Sequence, residues 1–172
     1  MTIDELLKAA ALPRGADKGE SPRPGMKRIY LHAGQLYASA ERTEIVTILG
    51  YCVAVCLHDA RHGIGGLNHF MLPMDGPTMS SRYANHAFDL LLKQLLALGA
   101  SRARMEAKIF GGASLLTTAA ESEADLGARN VLAARTRLAQ ERIPVVAEDT
   151  GGRHGRKLSF VTSDGAAQVK QV

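Results

Sequence analysis

Both cysteines of the chain and three of its six histidines lie within one short stretch, residues 47–73. An apolar run rich in β-branched residues, CVAVCL, spans Cys52–Leu57, and a second apolar run, IGGLNHFML, spans Ile64–Leu72. The segment between them, HDARHG, is polar and ends in glycine. Two apolar runs separated by a polar, glycine-containing break predict a β-hairpin. This hairpin decides which side chains of the stretch can meet, so it constrains both the fold and the chemistry.

A hairpin turn centred on Ala60 and Arg61 pairs Cys52 directly with His69. Directly opposed residues share one face of a sheet, with Cβ atoms about 4.5–5.5 Å apart, so a thiol and an imidazole can meet there. A cysteine beside a histidine that can accept its proton is the arrangement of an activated nucleophile. The sequence therefore predicts a Cys–His pair assembled across two strands.

Two other interpretations of these residues stay open. Buried cysteines are often small hydrophobes without chemistry, and a lone histidine is often a satisfied surface or core group. A zinc site is the second alternative, because the stretch holds residue types that bind zinc. These residues are Cys52, Cys56, His58, His62 and His69. On an extended strand, however, the two cysteines lie about 13 Å apart at roughly 3.3 Å per residue, too far for one metal ion or a disulfide. A helix at this position would reverse both exclusions.

Several motifs follow one another in an order that is typical of one known family. TILGYCVAVCLHD leads into GIGGLNHFMLP, with the histidine seventeen residues after the first cysteine. AKIFGGAS, LGARNV and AEDTGG follow at residues 107–114, 126–131 and 147–152. Together these motifs resemble the chemoreceptor glutamine deamidase family, CheD, over residues 28–163.

The resemblance implies a catalytic triad of Cys52, His69 and Thr47, in a β-sandwich layered with helices. It implies a hydrolase that converts chemoreceptor glutamines to glutamate through a cysteine thioester, with no cofactor and no metal. The partners it implies are the cytoplasmic helices of chemoreceptors and a CheC-type phosphatase. Tyr51 departs from the family pattern, in which a small residue, commonly serine, precedes the nucleophile. This departure leaves open a second function, a catalytically weak regulatory module that binds CheC or receptors.

Glycines near the nucleophile and later in the chain are candidates for contact with the substrate. Backbone N–H groups around Gly50, Tyr51 and Cys52 are candidates for an oxyanion hole, because glycine permits a sharp bend there. A second group of closely spaced residues either lines a substrate groove or forms a plain tight turn. These residues are Gly111, Gly112 and Ser114.

Composition narrows the class of protein and of partner. A chain of 172 residues is long enough for one domain with a substantial core. Its net charge of +4 comes without the aromatic-interleaved basic clusters typical of nucleic-acid binding. No stretch approaches the roughly eighteen apolar residues of a membrane span, and residues 1–11 lack a signal-peptide pattern. We therefore expect a cytoplasmic protein that neither binds nucleic acid nor inserts into a membrane.

Hydrophobic periodicity predicts the remaining elements and an α/β fold class. A short helix over residues 2–12 and a flexible linker precede the main domain, which gives segments 1–26 and 27–172. Helices are predicted at Ser80–Gly99, capped by Ser80 or Ser81, and at Leu126–Arg142, after a loop over residues 113–125. Short strands are predicted at 27–32, 35–39, 44–49, 102–110, 143–147 and 157–162, and the tail from Asp164 either adds one more strand or frays. His58 and His62 are expected to be exposed in the hairpin turn, and Cys56 is expected in the core.

Overall fold

The computed structural model describes residues 24–73, 80–114 and 121–172, with side chains from residue 126 onward in the last range. These ranges contain nine strands, two α-helices and a 3₁₀ turn. In chain order they are β1 (Lys27–Leu31), β2 (Leu36–Ser39), β3 (Thr43–Leu49), β4 (Val53–Asp59), β5 (Ile64–Phe70), α1 (Ala84–Ala97), the 3₁₀ turn (Arg102–Arg104), β6 (Met105–Gly111), α2 (Glu121–Gln140), β7 (Val145–Thr150), β8 (Arg156–Val161) and β9 (Ala167–Gln171). The predicted N-terminal helix and most of the predicted linker lie outside the described residues, so the division at residue 26 stays a prediction.

Two mixed sheets form the centre of the molecule. The four-stranded sheet has the order β1-β3-β8-β9, and the five-stranded sheet has the order β2-β5-β4-β6-β7. β1 pairs in parallel with β3, and β6 with β7, whereas the other pairs are antiparallel. One hydrophobic cluster fills the space between the sheets, and a second lies between the five-stranded sheet and the helices. The predicted fold, an α/β sandwich layered with helices, is confirmed.

Strand β4 contributes to both hydrophobic clusters, which explains its continuous apolar sequence. Ala54 and Cys56 face the other sheet, while Val53, Val55 and Leu57 face the helices. All seven residues of the strand are buried, because β5 and β6 pair on either side of it. A strand buried on both faces shows an apolar run rather than alternation. The strand at the centre of the sheet is therefore the one that the sequence marks most clearly.

The hairpin between β4 and β5 forms as predicted, but its register differs. The turn spans residues 60–63, so Ala54 stands opposite His69 and Cys52 lies just before β4. The prediction that Cys52 stands directly opposite His69 is wrong by two residues. The buried Asp59 carboxylate accepts hydrogen bonds from the backbone N–H groups of Arg61 and His62, which holds a four-residue turn.

The two turn histidines behave differently from one another. His62 is exposed, as predicted, and its Nδ1 lies 2.7 Å from the Asp59 carboxylate. The prediction that His58 is exposed is wrong, because this residue belongs to β4 and is buried. One of its ring nitrogens, Nε2, lies 3.1 Å from the Ser163 carbonyl oxygen.

The helices also differ from their predicted ends. α1 begins at Ala84 after an N-cap residue, Tyr83, that makes no side-chain cap, so the predicted serine cap is wrong. Gly99, with φ of +102°, follows the last helical turn as predicted. α2 begins at Glu121 rather than Leu126, so the predicted loop extends too far. Its first residues, ESEAD, are compatible with a helix but lack the apolar spacing on which the prediction depended.

Two connections cross between the sheets at the same end of the sandwich. β1 and β3 run parallel in one sheet, and each is followed by a strand of the other sheet. The crossings are residues 32–35, between β1 and β2, and residues 50–52, between β3 and β4. β5 also ends here, because its last residue, Phe70, pairs with the first residue of β4. This end of the sandwich brings together parts of the chain that are distant in sequence.

Candidate active site

The predicted triad residues come from three different elements that meet at this crossing end. Thr47 lies on β3, Cys52 lies in the β3–β4 crossing, and His69 lies near the end of β5. All three line one cavity of about 510 Å³. Tyr51 and Lys157 also belong to its wall. The topology therefore places a thiol, an imidazole and a hydroxyl around one space.

A hydrogen-bond chain fixes which nitrogen of His69 carries the proton. The Thr47 hydroxyl oxygen lies 2.8 Å from the Leu31 carbonyl oxygen and 2.8 Å from His69 Nδ1. A carbonyl can only accept, so the hydroxyl gives its one proton to Leu31 and must accept from Nδ1–H. Nδ1 is thus protonated, and Nε2 carries a free lone pair. Nε2 is buried and has no hydrogen-bond partner among the described residues.

The position of the His69 ring is set by its own backbone as well as by Thr47. Its N–H donates to the Gln35 carbonyl at 3.0 Å, and its carbonyl accepts from the Gly34 N–H at 2.7 Å. Both partners belong to the crossing between β1 and β2. Burial and, to a smaller extent, the nearby His32 together lower the pKa of His69 to about 4. The imidazole is therefore neutral at neutral pH and can act as a base.

Cys52 is a buried, protonated thiol in the resting molecule. Only 8% of the residue is exposed. Burial raises the pKa of the thiol to about 11, although a hydrogen bond from its own backbone N–H acts in the opposite direction. Cys52 shares a face with Ala54, so it is a diagonal neighbour of His69 across the hairpin. The resting pair is a thiol and an imidazole that are not yet hydrogen-bonded to each other.

Three consecutive carbonyl groups of the crossing that carries Cys52 are hydrogen-bonded. The Gly50 carbonyl accepts from the Ala113 N–H at 2.9 Å, and the Cys52 carbonyl accepts from the Gly112 N–H at 2.9 Å. Between them, the Tyr51 carbonyl accepts from the side-chain amide of Asn130 at 3.2 Å. The C=O and N–H groups of a trans peptide point in opposite directions. The N–H groups of Tyr51 and Cys52 therefore point away from these partners, and neither has a backbone acceptor in the described part of the chain.

The other residues predicted to contact the substrate are distributed unevenly. Tyr51 lines the cavity and is 37% exposed. The described lining does not include the remaining predicted residues. These are Gly50, Gly111, Gly112 and Ser114. Gly111, with φ of +108°, packs so closely beneath the crossing that an added Cβ would lie 2.2 Å from the Cys52 carbonyl oxygen. Gly111 is the last residue of β6 and supports the crossing that carries Cys52, and contact of these residues with a substrate stays a prediction.

Asn130 and His32 were missed by the sequence reasoning. Asn130 is fully buried on α2, and its amide also donates to the Met71 carbonyl at 2.9 Å. The signal available in the sequence was its spacing of four and eight residues before Ala134 and Leu138, which puts a polar side chain on the buried stripe of the helix. His32 gave no signal, because its effect on His69 depends on the crossing between the sheets.

The described residues provide no evidence for a metal centre or a membrane span. No group of three or more His, Cys, Asp or Glu side chains in these ranges is arranged to hold a metal ion. Cys52 and Cys56 are both free thiols. Neither described helix is long and apolar enough to cross a membrane.

Comparison with known proteins gives one consistent result. The family model named CheD, described as chemotactic sensory transduction, matches residues 71–171. A probable chemoreceptor glutamine deamidase CheD 1 from Anaeromyxobacter dehalogenans is 47% identical over 156 residues, which covers 90% of this chain and 91% of that protein. A probable chemoreceptor glutamine deamidase CheD from Trichlorobacter lovleyi is 46% identical over 142 residues, covering 81% and 88%.

The two kinds of match cover the candidate site differently. The family model begins at Met71, after Thr47, Cys52 and His69. The alignment to the Anaeromyxobacter protein spans 90% of the chain and therefore includes them. Among solved structures, the chain is similar to Neisseria meningitidis protein NMB0706, of the family DUF152, with a TM-score of 0.49 and 13% identity over 82% of this chain and 76% of that one.

Proposed function

The chain belongs to the CheD family, and we propose that it is a chemoreceptor glutamine deamidase whose reaction is carried out by Cys52, His69 and Thr47. The observation that carries this assignment of residues is the hydrogen-bond chain from Leu31 through Thr47 to His69. It leaves a buried, unprotonated Nε2 on a residue that shares a cavity with a thiol. A thiol, a base of fixed tautomer and a cavity that admits a side chain are the requirements for attack on a carboxamide.

The first half of the reaction forms a thioester and releases ammonia. As the carboxamide of a substrate glutamine enters the cavity, His69 Nε2 accepts the thiol proton while Cys52 Sγ attacks the carboxamide carbon. The negative charge that develops on the carboxamide oxygen is stabilised by the N–H groups of Tyr51 and Cys52. His69 Nε2–H then protonates the carboxamide nitrogen of the substrate, the C–N bond breaks, and ammonia leaves. The glutamine side chain is now an acyl group on sulfur.

The second half hydrolyses the thioester. His69 Nε2 accepts a proton from water as the water oxygen attacks the acyl carbon, and the same N–H groups stabilise the second oxyanion. The C–S bond breaks, the proton returns to Cys52, and a glutamate side chain is released. Glutamine and water have become glutamate and ammonia, and the resting neutral pair is restored. Charge separation between Cys52 and His69 is thus needed only during the reaction.

Thr47 acts on His69 by orientation rather than by charge. Its hydroxyl continues to donate to Leu31 and to accept from Nδ1–H in both protonation states of the ring. A neutral hydroxyl stabilises an imidazolium less than a carboxylate does, which agrees with the low pKa of His69. We infer that the base is weak, and that burial in the site makes it effective by excluding competing water.

The proposed protein substrate is the cytoplasmic helical region of chemoreceptors, which would place the reaction in the cytoplasm. Tyr51 lines the cavity and is partly exposed, so its ring is positioned to contact the polypeptide that carries the glutamine.

The same ring is the observation that favours the second candidate function, a regulatory module, because it adds bulk beside the nucleophile. A CheC-type phosphatase as a second partner rests on the family resemblance alone.

Mass spectrometry of a purified receptor cytoplasmic fragment tests the proposal. Incubation with the protein in ¹⁸O-labelled water is expected to convert specific glutamines to glutamates that carry one ¹⁸O each. Hydroxylamine added during turnover should intercept the thioester and yield the corresponding hydroxamate. Cys52→Ala provides the matched control and should give neither product. A folded wild-type protein that binds the fragment but leaves every glutamine unchanged would support the regulatory module instead.

A further inference from the structure

We propose that Asn130 is a positioning residue of this site, which aims the peptide between Tyr51 and Cys52 and ties it to the segment that carries His69. The inference rests on the proposed function and extends it to a residue of the helical layer. Asn130 lies on α2, which packs against the face of the five-stranded sheet opposite the cavity side. Asn130 therefore contacts the site from the helix-covered face of this sheet and not from the cavity.

The side-chain amide of Asn130 donates two hydrogen bonds, and the two acceptors belong to different segments of the site. One is donated to the Tyr51 carbonyl at 3.2 Å, and the other to the Met71 carbonyl at 2.9 Å. Tyr51 directly precedes Cys52, and Met71 follows His69 by two residues. One buried side chain thus joins the backbone that carries the nucleophile to the backbone that carries the base.

Packing alone does not account for an asparagine at this position. Asn130 is fully buried on a helix face whose neighbouring buried residues are apolar, namely Val131, Ala134 and Leu138. Its Oδ1 is also buried and has no hydrogen-bond partner among the described residues. A buried acceptor without a partner destabilises a fold. The amide is therefore better explained by the two carbonyls that it holds than by the stability of the helix.

The Tyr51 carbonyl is the one carbonyl of the crossing that a side chain controls. Its neighbours at Gly50 and Cys52 accept from backbone N–H groups, whereas this carbonyl accepts from Asn130. In the same peptide unit, the Cys52 N–H points in the opposite direction. Burial raises the pKa of the Cys52 thiol, and this N–H lowers that pKa by a smaller amount. Loss of the Asn130 amide should therefore misdirect the N–H donor and weaken both oxyanion binding and thiolate formation.

Steady-state kinetics on Asn130→Leu, which keeps the size of the side chain but removes both donors, provide the first test. We expect kcat to fall about 10²-fold, as for a misplaced catalytic group, with KM changed less than about twofold. Leu138→Val is the matched control, because it perturbs the same buried helix face and should leave kcat unchanged. A folded Asn130→Leu protein with wild-type kcat would overturn the proposal.

Alkylation of Cys52 by iodoacetamide provides a second readout that does not depend on deamidation. At a fixed pH of about 8, the reaction should be several-fold slower in Asn130→Leu and unchanged in Leu138→Val, because the thiolate has lost its donor. If the wild-type protein fails to deamidate receptors, the proposed function falls while this measurement still decides the role of Asn130. An unchanged alkylation rate in Asn130→Leu would overturn that role.

A smaller substitution covers the case in which leucine does not fit. Asn130→Ser leaves room for water and should fold, with the same loss of kcat and of alkylation rate. If both variants fail to fold, as judged by circular dichroism, the proposal is overturned, because Asn130 would then be a residue of the fold and not of the site.

Discussion

The two cysteines of the chain each share a cavity with a histidine, but the surroundings of the two pairs differ. Cys52 shares a cavity of about 510 Å³ with His69, and Cys56 shares one of about 130 Å³ with His58. Burial raises the pKa of both thiols. Neither the residue types nor the acidity of the thiol therefore separates the two pairs.

The two pairs differ in which histidine nitrogen is left free and what covers it. His58 Nε2 faces the Ser163 carbonyl, which can only accept, so Nε2 carries the proton and Nδ1 is bare. Gly165 covers Nδ1 so closely that an added Cβ would lie 2.5 Å from it. In His69, by contrast, the protonated Nδ1 donates to the Thr47 hydroxyl. Nε2 carries no proton and has no hydrogen-bond partner among the described residues. Both histidines thus have a partner that selects the tautomer, and the two pairs differ in whether the unprotonated nitrogen is left uncovered.

The two pairs also differ in their position relative to the strand ladder. Cys56 lies in the middle of β4, between Leu67 on β5 and Lys108 on β6, and is 1% exposed. Cys52 lies in the crossing just before the ladder begins, where its backbone N–H is not used by a neighbouring strand. A strand interior uses its N–H groups for pairing, whereas a crossing can offer them to a substrate. This contrast leads to four predictions.

Removal of each thiol should have opposite consequences, and this is the largest expected effect. Cys52→Ala should lower kcat/KM by at least about 10⁴-fold with little change in stability, because the nucleophile is lost. Cys56→Ala should keep its activity but lose about 1–2 kcal/mol of unfolding free energy, because it leaves a space in the core. Deamidation assays and urea denaturation of both variants test this. Loss of activity in a folded Cys56→Ala protein would mean that the wrong pair has been identified.

Removal of the group that selects the tautomer should reduce activity less. Thr47→Val keeps the shape of the side chain but cannot accept from Nδ1–H, so Nε2 is no longer held as the free base. We expect a loss of kcat of about 10²-fold, within the range of general-base contributions. Thr47→Ser retains the hydroxyl and serves as the control, with activity close to that of the wild type. Equal activity in Thr47→Val and the wild-type protein would remove the distinction between the two histidines.

The pH dependence of alkylation tests whether Cys52 rests as a thiol. Because burial raises its pKa to about 11, the thiolate fraction, and with it the rate of alkylation by iodoacetamide, should rise about tenfold per pH unit between pH 7 and 9. Cys56 should stay unmodified in the folded protein, as peptide mapping would show. A rate that is already constant below pH 8 would instead reveal a resting thiolate–imidazolium pair.

The smallest effect on activity is expected from substitution of His32, which lines the same cavity as Cys52 and His69. When protonated, His32 disfavours a second positive charge on His69 and so lowers its pKa. His32→Gln should therefore raise the pKa of His69 and move the acid limb of kcat/KM to higher pH. The loss at pH 5 should be less than about threefold. His154→Gln, an exposed substitution outside the cavity lining, should not move the acid limb.

The sequence predicted strands well where burial produces an apolar pattern. It predicted strand register poorly where a side chain determines the length of the turn. β4 was predictable because a strand buried on both faces must be apolar throughout. The register of its hairpin was not, because the turn length depends on how the Asp59 carboxylate binds the N–H groups of Arg61 and His62. A shift of one residue in the turn centre moves every cross-strand pair by two. Hydrophobic alternation is unchanged by such a shift and so cannot report it.

The residue types of the candidate site could be proposed from the sequence, but the contacts that hold these residues in place could not. Cys52 and His69 follow from one hairpin, and Thr47 was assigned through the family resemblance. The Leu31 carbonyl and the Asn130 amide are distant in sequence, 16 residues from Thr47 and 79 residues from Tyr51 respectively. These contacts exist only because the sheets and α2 pack together. No local pattern could have assigned the tautomer of His69 or the direction of the Cys52 N–H.

The burial of Cys52 has a consequence for the protein under oxidative conditions. Peroxide attacks thiolates rather than thiols, and oxidation follows thiolate character and exposure. With a pKa of about 11, only about one Cys52 side chain in 10⁴ is ionised at pH 7, compared with a few per cent for a free cysteine. The proposed nucleophile is thus kept mainly in the thiol form, which oxidants attack slowly. Resistance to sulfenic acid formation follows from the same burial that keeps the resting pair neutral.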